Sequence, residues 1–297
     1  MKAAFYRYDG PTWLAAFALY GSWALLIAFH SQIPWWIVTP AGAYLVAWHF
    51  SLQHEAIHSF RSAPPRLRTA VVMPPLGLWL PFPLYRAAHT THHQNTHLTE
   101  PGVDTESVYW RAADWAALPG WRRTVLRANQ TLAGRVLIGP VLRLEKLVRR
   151  EAGRIASGDT AHVGHWLVHV VLVALLFVYI SGVCGMPWWQ YVVGIAWPAF
   201  GLGWVRSFIE HRYGHRPAER TAIVESNLFW SLLFLNNNLH AVHHLHPRMP
   251  WWEIPGYFRA NRERILARNG GFYFRGYLDV ARRWAFRPAF EPVHPRF

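Results

Sequence analysis

The chain has 297 residues, 52% of them hydrophobic and 16% aromatic, with 30 Lys and Arg against 16 Asp and Glu for a net charge of +14. Its one cysteine, Cys184, excludes an internal disulfide and a protein-held iron–sulfur cluster. The basic excess is a weak argument for nucleic acid, because the arginines are spread over long segments that flank apolar ones and no recognised binding fold accompanies them.

The position of the charges organises the rest. No Lys or Arg lies between Arg7 and Arg61, and none between Arg154 and Arg206. The first gap holds apolar segments at about 12–30 and 35–53, the second at 163–184 and 187–206. Each is close to the ~20 residues that a helix needs to cross a bilayer. An all-α, polytopic membrane protein is therefore expected, with four transmembrane helices in two hairpins. Both hairpin turns, near 30–34 and 185–186, lack Lys and Arg, so the termini and the two basic segments belong on the cytoplasmic face. The chain reads as a single domain over 1–297, with a cytoplasmic helical cap made of 54–162 and 207–297 that is also drawn to anionic headgroups. Pro34-Trp35-Trp36 and Pro187-Trp188-Trp189 each open a span, proline suiting the first turn and indoles the interface. No signal peptide is expected, since the first span is long and no small-residue cleavage pattern follows it.

Two further apolar stretches do not read as crossings. Residues 70–85 carry four prolines, and 226–239 is too short and ends in three asparagines. Both precede histidine-rich segments and are expected to be re-entrant or interfacial. The 136–155 stretch has amphipathic spacing and is expected on the cap or the interface, and 259–287 reads as a basic, partly helical tail along the membrane surface.

The chemistry lies in three histidine clusters: His54/His58, His89/His92/His93 and His240/His243/His244. Residues three and four apart share one face of a helix, so each cluster presents two or three imidazoles toward a common point. The charge pattern puts all three on the same membrane face. One zinc ion closes with four ligands, or three and a water, so eight imidazoles imply two metal ions. Imidazole suits iron, copper and zinc alike. His54-Glu55-Ala56-Ile57-His58 also matches HExxH, the zinc-peptidase signature, but a peptidase needs one more ligand and this chain offers two full HxxHH clusters. A non-enzymatic metal transporter or sensor predicts ionisable residues inside the spans, which hold almost none apart from His49, His165 and His169. These three and the lone His30, His162 and His294 read as structural.

HEAIH at 54–58, HTTHH at 89–93 and HAVHH at 240–244, with RSFIEH at 206–211 and HHLHPRMPWWEIP at 243–255, resemble the membrane fatty acid desaturase and hydroxylase superfamily, which also includes alkane hydroxylases and carotenoid ketolases. The resemblance covers roughly residues 45–260. It implies two iron ions in a non-haem di-iron site on the cytoplasmic side, with molecular oxygen as co-substrate, acting on an unactivated C–H bond. Carried over, the ligands are His54, His58, His89, His92, His93, His240, His243 and His244, with His211 as a ninth. Alkane hydroxylases have an asparagine four positions before that ninth ligand, where this chain has Ser207. His215, four after His211, is a reserve ligand. His97 and His246 are expected to hydrogen-bond ligands or carboxylates. Among Glu55, Glu100, Asp104, Glu106 and Glu210, Glu210 beside His211 is the best placed to orient an imidazole, and the 100–106 group reads more simply as solvated.

By the same resemblance the expected function is oxygen-dependent desaturation of a fatty acyl lipid. The alternative is a hydroxylase or ketolase acting on a carotenoid or small amphipathic metabolite. The expected setting is a bacterial inner membrane, with the lipid bilayer itself as a partner. Electrons must come from outside, since neither a haem domain nor a flavin fingerprint is present. A ferredoxin or similar small carrier docking on the basic cytoplasmic face is expected.

Overall fold

The computed structural model describes residues 2–94 and 97–297. The chain is mostly helical, as the apolar segments predict, with one departure: Ile223–Val224 and Tyr273–Phe274 pair as short parallel strands. Two compact units form, one from residues up to 86 together with 142–203, the other from 87–141 and 204–297.

The first unit is built from long helices. Gly10–Ala28 begins after Asp9, which takes a left-handed turn (φ 52). The Asp9 carboxylate accepts the backbone N–H groups of Arg61 and Ser62 at 2.8 and 2.7 Å. Trp35–His58 then runs unbroken for 24 residues through Pro40. The first histidine cluster is therefore the last turns of a long helix, which follows from the absence of any Gly or Pro between Gly42 and His58. Gly42 lets this helix approach a fully buried neighbour, since a Cβ there would stand 2.7 Å from Ile195 Cδ1.

Val163–Phe177 continues through a π-helical segment, Val178–Val183, and the chain turns at Gly185 (φ 72). Helix resumes at Trp188–Tyr191, passes a second π segment at Val192–Ala196 and ends as Trp197–Ser207. The proline-rich 70–85 stretch does not continue as one helix: Pro65–Val72 stops, the chain turns, and Phe82–Gln94 begins. Prolines there interrupt the helical ladder. Side chains from elsewhere in the unit take up the carbonyls, with the Tyr191 hydroxyl donating to Leu76 O and a His169 ring N–H to Leu78 O, each at 2.8 Å.

Two helices among the described residues are long and apolar enough to cross a membrane, Gly10–Ala28 and Val163–Val183, with mean hydropathies of 1.4 and 2.4. A helix serving as the core of a soluble fold would hide its apolar face. Only 17% of the second helix is buried, and Leu167, Val170, Val171, Leu175 and Val183 point outward. Trp35–His58 is long enough to cross but places Ser51, Gln53, His54, Glu55 and His58 along its last turns.

The second unit has a core of Ile223, Leu239, Val242, Ile254, Phe258 and Ile265. Two backbone bonds tie the segment 222–224, which includes the first strand, to the third histidine cluster and the turn before it, Ala241 N to Ala222 O and Val224 N to Asn238 O, each 2.9 Å. The segment 259–287 is packed into this unit rather than trailing from it as a tail. Its apolar residues Ile265, Phe272, Phe274, Tyr277 and Val280 are buried in this unit, and its strand supplies the parallel pairing. Burying those apolar side chains is what holds the segment in place.

Candidate metal centre

All three histidine clusters lie on helices, though of different lengths. His54 and His58 sit one turn apart in the first unit, with ring centroids 4.9 Å apart. His89, His92 and His93 occupy the last two turns of Phe82–Gln94, and His240, His243 and His244 fill most of the six-residue helix His240–Leu245. That short helix follows a tight turn in which Leu235 and Asn236 both have positive φ, 44 and 57. Asparagine tolerates this conformation, and the three consecutive asparagines divide the work. Asn236 donates to Trp251 O at 2.9 Å, Asn238 to Val224 O at 2.7 Å, and Asn237 faces His240. His211 lies beyond Trp197–Ser207, in an extended segment bridged to Thr221.

The clusters do not each converge on one point. The ring nitrogens of His92, His211, His240 and His244 all lie within 4.8 Å of one another, and those of His89, His93 and His243 form a separate group to the same tolerance. Each HxxHH cluster thus splits. Its first and last histidines, four apart, stay together, as do His89 with His93 and His240 with His244. The middle histidines, His92 and His243, go to the other group. Consecutive residues on a helix are about 100° apart, so adjacent histidines cannot aim at one atom.

In the four-histidine group, Nε2 atoms face one another: His92 to His211 at 3.1 Å, His211 to His240 at 3.0 Å and His240 to His244 at 3.0 Å. Two nitrogens bound to one ion at about 2.1 Å and at right angles stand about 3.0 Å apart, and about 3.4 Å apart at the tetrahedral angle. The spacing is therefore that of several imidazoles around one cation with room for further ligands. In the other group the Nε2 atoms of His93 and His243 are also 3.0 Å apart.

The opposite ring nitrogens are held from outside. His92 Nδ1–H donates to Asp104 Oδ1 and His89 Nδ1–H to Glu106 Oε1, both at 2.8 Å. His211 Nδ1–H donates to Arg220 O at 3.2 Å, and His240 Nδ1 meets Asn237 Oδ1 at 3.1 Å and Glu210 Oε1 at 3.2 Å. Carboxylate and carbonyl oxygens only accept, so these rings carry a proton on Nδ1 and turn Nε2 inward. Metal-binding histidines are oriented in this way. The donor set fits metal ions on both counts.

Electrostatics point the same way. Burial works against ionising Asp104 and Glu106, yet the hydrogen bonds and charge of His92 and His89 outweigh it, holding both below the ordinary carboxylate range, Glu106 well below. Burial and neighbouring imidazoles push His240 and His244 well below their usual value, and burial with the charge of His92 takes His211 to about 3. Burial also pulls His92 down, but Glu106 and Asp104 prevail and lift it to about 9. A cluster that draws a proton inward at one ring offers the same place to a metal cation. Burial pushes Glu210 up to about 7 against the pull of Arg206, whose Nε lies 3.1 Å away.

Other expected residues fall outside these groups. His97 is 58% exposed and pairs with a carboxylate, as expected of it, Glu100 at 2.9 Å. His246 Nε2 meets the Tyr257 hydroxyl at 2.7 Å rather than a clustered histidine or a carboxylate. His215 is exposed, with Nδ1 3.4 Å from the Tyr213 hydroxyl, and stands apart from both groups. Glu55 is buried within its helix. Asp104 and Glu106 are not solvated bystanders, because the turn after Thr99 (φ 73) folds them back: Asp104 accepts the N–H groups of Thr99 and Glu106 at 2.8 and 2.9 Å. Asn237, which acts through its side-chain Oδ1, and the Arg220 carbonyl carry no sequence signature, since the course of the backbone brings each to its imidazole.

Replacing Asp104 by asparagine should loosen His92. Metal retention against a graded chelator series is expected to weaken about 10–100-fold, with Glu100→Gln as the unaffected control. Equal retention in D104N and wild type would show that Asp104 does not orient a ligand.

The profile of a family described as Fatty acid desaturase matches residues 31–277, a span that includes all three histidine clusters and His211. No curated protein matches the chain.

Proposed function

The chain belongs to the fatty acid desaturase family, and from that premise we propose that it is a membrane-embedded, non-haem di-iron oxidoreductase that desaturates a fatty acyl lipid at the expense of dioxygen. The observation that carries this reading is the pair of histidine groups, each drawing on both HxxHH clusters, with inward Nε2 atoms and outward Nδ1–H groups held by oxygen.

The ligand set proposed is His92, His211, His240 and His244 for one iron, and His89, His93 and His243 for the other. The family resemblance adds His54 and His58 as further ligands. Bound there, two irons supply the activation of dioxygen that removes hydrogen from an unactivated C–H bond. The chain's own contribution is charge and orientation. Neutral imidazoles leave a cation electrophilic, and Asp104 and Glu106 return negative charge at one remove, through the rings they hold. Fixing each ring by its Nδ1–H prevents it from turning a proton toward the centre.

Four crossings with both termini and the metal centre on the cytoplasmic face complete the proposal. The outward apolar faces of Gly10–Ala28 and Val163–Val183 support it. A small one-electron carrier such as a ferredoxin is the proposed reductant, recruited by the basic charge of the cap.

The test is metal content together with product. Purified protein is expected to hold about two irons per chain after reconstitution, and lipid extracts from cells expressing it should contain acyl chains with a new double bond. A requirement for one zinc, or an active chain that leaves every acyl lipid unchanged, would overturn the reading. A new hydroxyl in place of a double bond would keep the metal centre and correct the reaction.

A further inference from the structure

A groove of about 500 Å³ opens within the second unit, beside the segment that carries His211. Ile209, Arg212 and Tyr213 line it, so the backbone that presents the histidine to the metal centre also forms one wall of the groove. Pockets of about 300–1,000 Å³ are the usual size for small-molecule ligands. Much of the remaining lining is aromatic, including Tyr109, Phe274, Trp284 and Phe290.

The charges in the groove are unequally satisfied. The Arg283 guanidinium is held by both oxygens of Asp279, at 2.9 and 3.0 Å. Arg212 has no such partner among the described residues. Its guanidinium carbon lies over the Phe272 ring, 4.2 Å from the centroid. The carboxylate that acts on it, Glu219, is itself engaged by Arg216 at 2.6 Å. Glu291 is the one acidic side chain on the lining, and it is exposed. A guanidinium braced on an aromatic face keeps its in-plane N–H donors for a planar or tetrahedral oxyanion.

We propose that this groove is a binding site for an organic anion built from a flat ring and a phosphate or carboxylate, the oxyanion taken by Arg212 and the ring by the aromatic walls. Aromatic side chains offer offset-stacked and edge contacts to a ring, which an acyl chain would not use. The site is distinct from the metal centre and does not depend on the function proposed for it. Arg212 and His211 are adjacent in the chain, so a ligand in the groove bears on the segment that sets the position of His211.

The test uses the full chain in detergent micelles, with flavin mononucleotide as a fluorescent anionic probe and riboflavin as its uncharged counterpart. Flavin mononucleotide is expected to bind saturably, with its emission quenched by the aromatic walls, and about 10–100-fold more tightly than riboflavin, the range for hydrogen bonds to a charged group. Arg212→Gln should bring the two probes to the same affinity without lowering the melting temperature, because Arg212 is only partly buried. Trp284→Leu should weaken both probes together. His240→Ala should leave probe binding unchanged, which separates this site from the metal reading. The proposal is overturned if flavin mononucleotide does not saturate, if riboflavin binds as well, or if the preference survives in R212Q.

Discussion

His211→Ala is expected to abolish turnover and remove about one metal ion per chain, whereas His215→Ala should leave both unchanged. The two residues are one helical turn apart in sequence spacing, and the sequence allows either to be a ligand. The structure separates them by backbone shape: residues 211–213 are extended and held to 220–221, with Arg212 N donating to Arg220 O at 3.2 Å. Only His211 then points toward His92 and His240, at 3.1 and 3.0 Å. Loss of an outer partner costs about 10–100-fold in affinity or activity, so loss of a ligand should exceed the upper end of that range. Elemental analysis and turnover measured on the same preparations decide the matter. Full metal content in H211A, or metal loss in H215A, would reverse the assignment.

Arg206→Leu is expected to destabilise the protein by about 3–5 kcal/mol, the cost of leaving a buried charge without its partner. Glu210 is 4% exposed and lies between Arg206 and His240. Its carboxyl group already titrates near 7 rather than 4.5, because burial disfavours the anion even with Arg206 beside it. A carboxyl group raised in the folded state stabilises folding fully below its unfolded value, and that contribution is lost as pH rises through the folded value. In metal-stripped protein, stability should therefore fall between about pH 4.5 and 7, and the R206L defect should be larger at pH 8 than at pH 5. Adding Glu210→Gln to R206L should restore part of the loss, since the amide carries no charge to bury. Thermal unfolding of wild type, R206L and the double variant at the two pH values tests this, and a pH-independent defect in R206L would show that Arg206 acts through packing alone.

The HEAIH match illustrates how far a motif reaches. Taken alone it names a zinc peptidase, but family membership makes it the first of three histidine clusters, and the structure puts it at the end of a 24-residue helix. The role of 100–106 shows the opposite failing. Asp104 is twelve residues from His92; Pro101-Gly102 announces a turn in that interval, but no local signal says that the turn brings the carboxylate back to 2.8 Å from Nδ1. The left-handed Thr99 that makes the return is a residue type with no preference for that conformation.

The amino-acid sequence by itself determined the helical class, the candidate imidazoles and the family, because apolar length, charge-free stretches and three-and-four spacing are local properties that do not depend on the rest of the fold. Tertiary structure decided how the imidazoles are shared. Neighbouring histidines such as His92–His93 and His243–His244 diverge by the turn of the helix, and only the packing of one helix against another determines which joins which group. It also decided the outer partners, Asp104, Glu106, Asn237 and the Arg220 carbonyl. These are delivered by turns and extended segments whose course is set by long-range hydrogen bonds that no local pattern records.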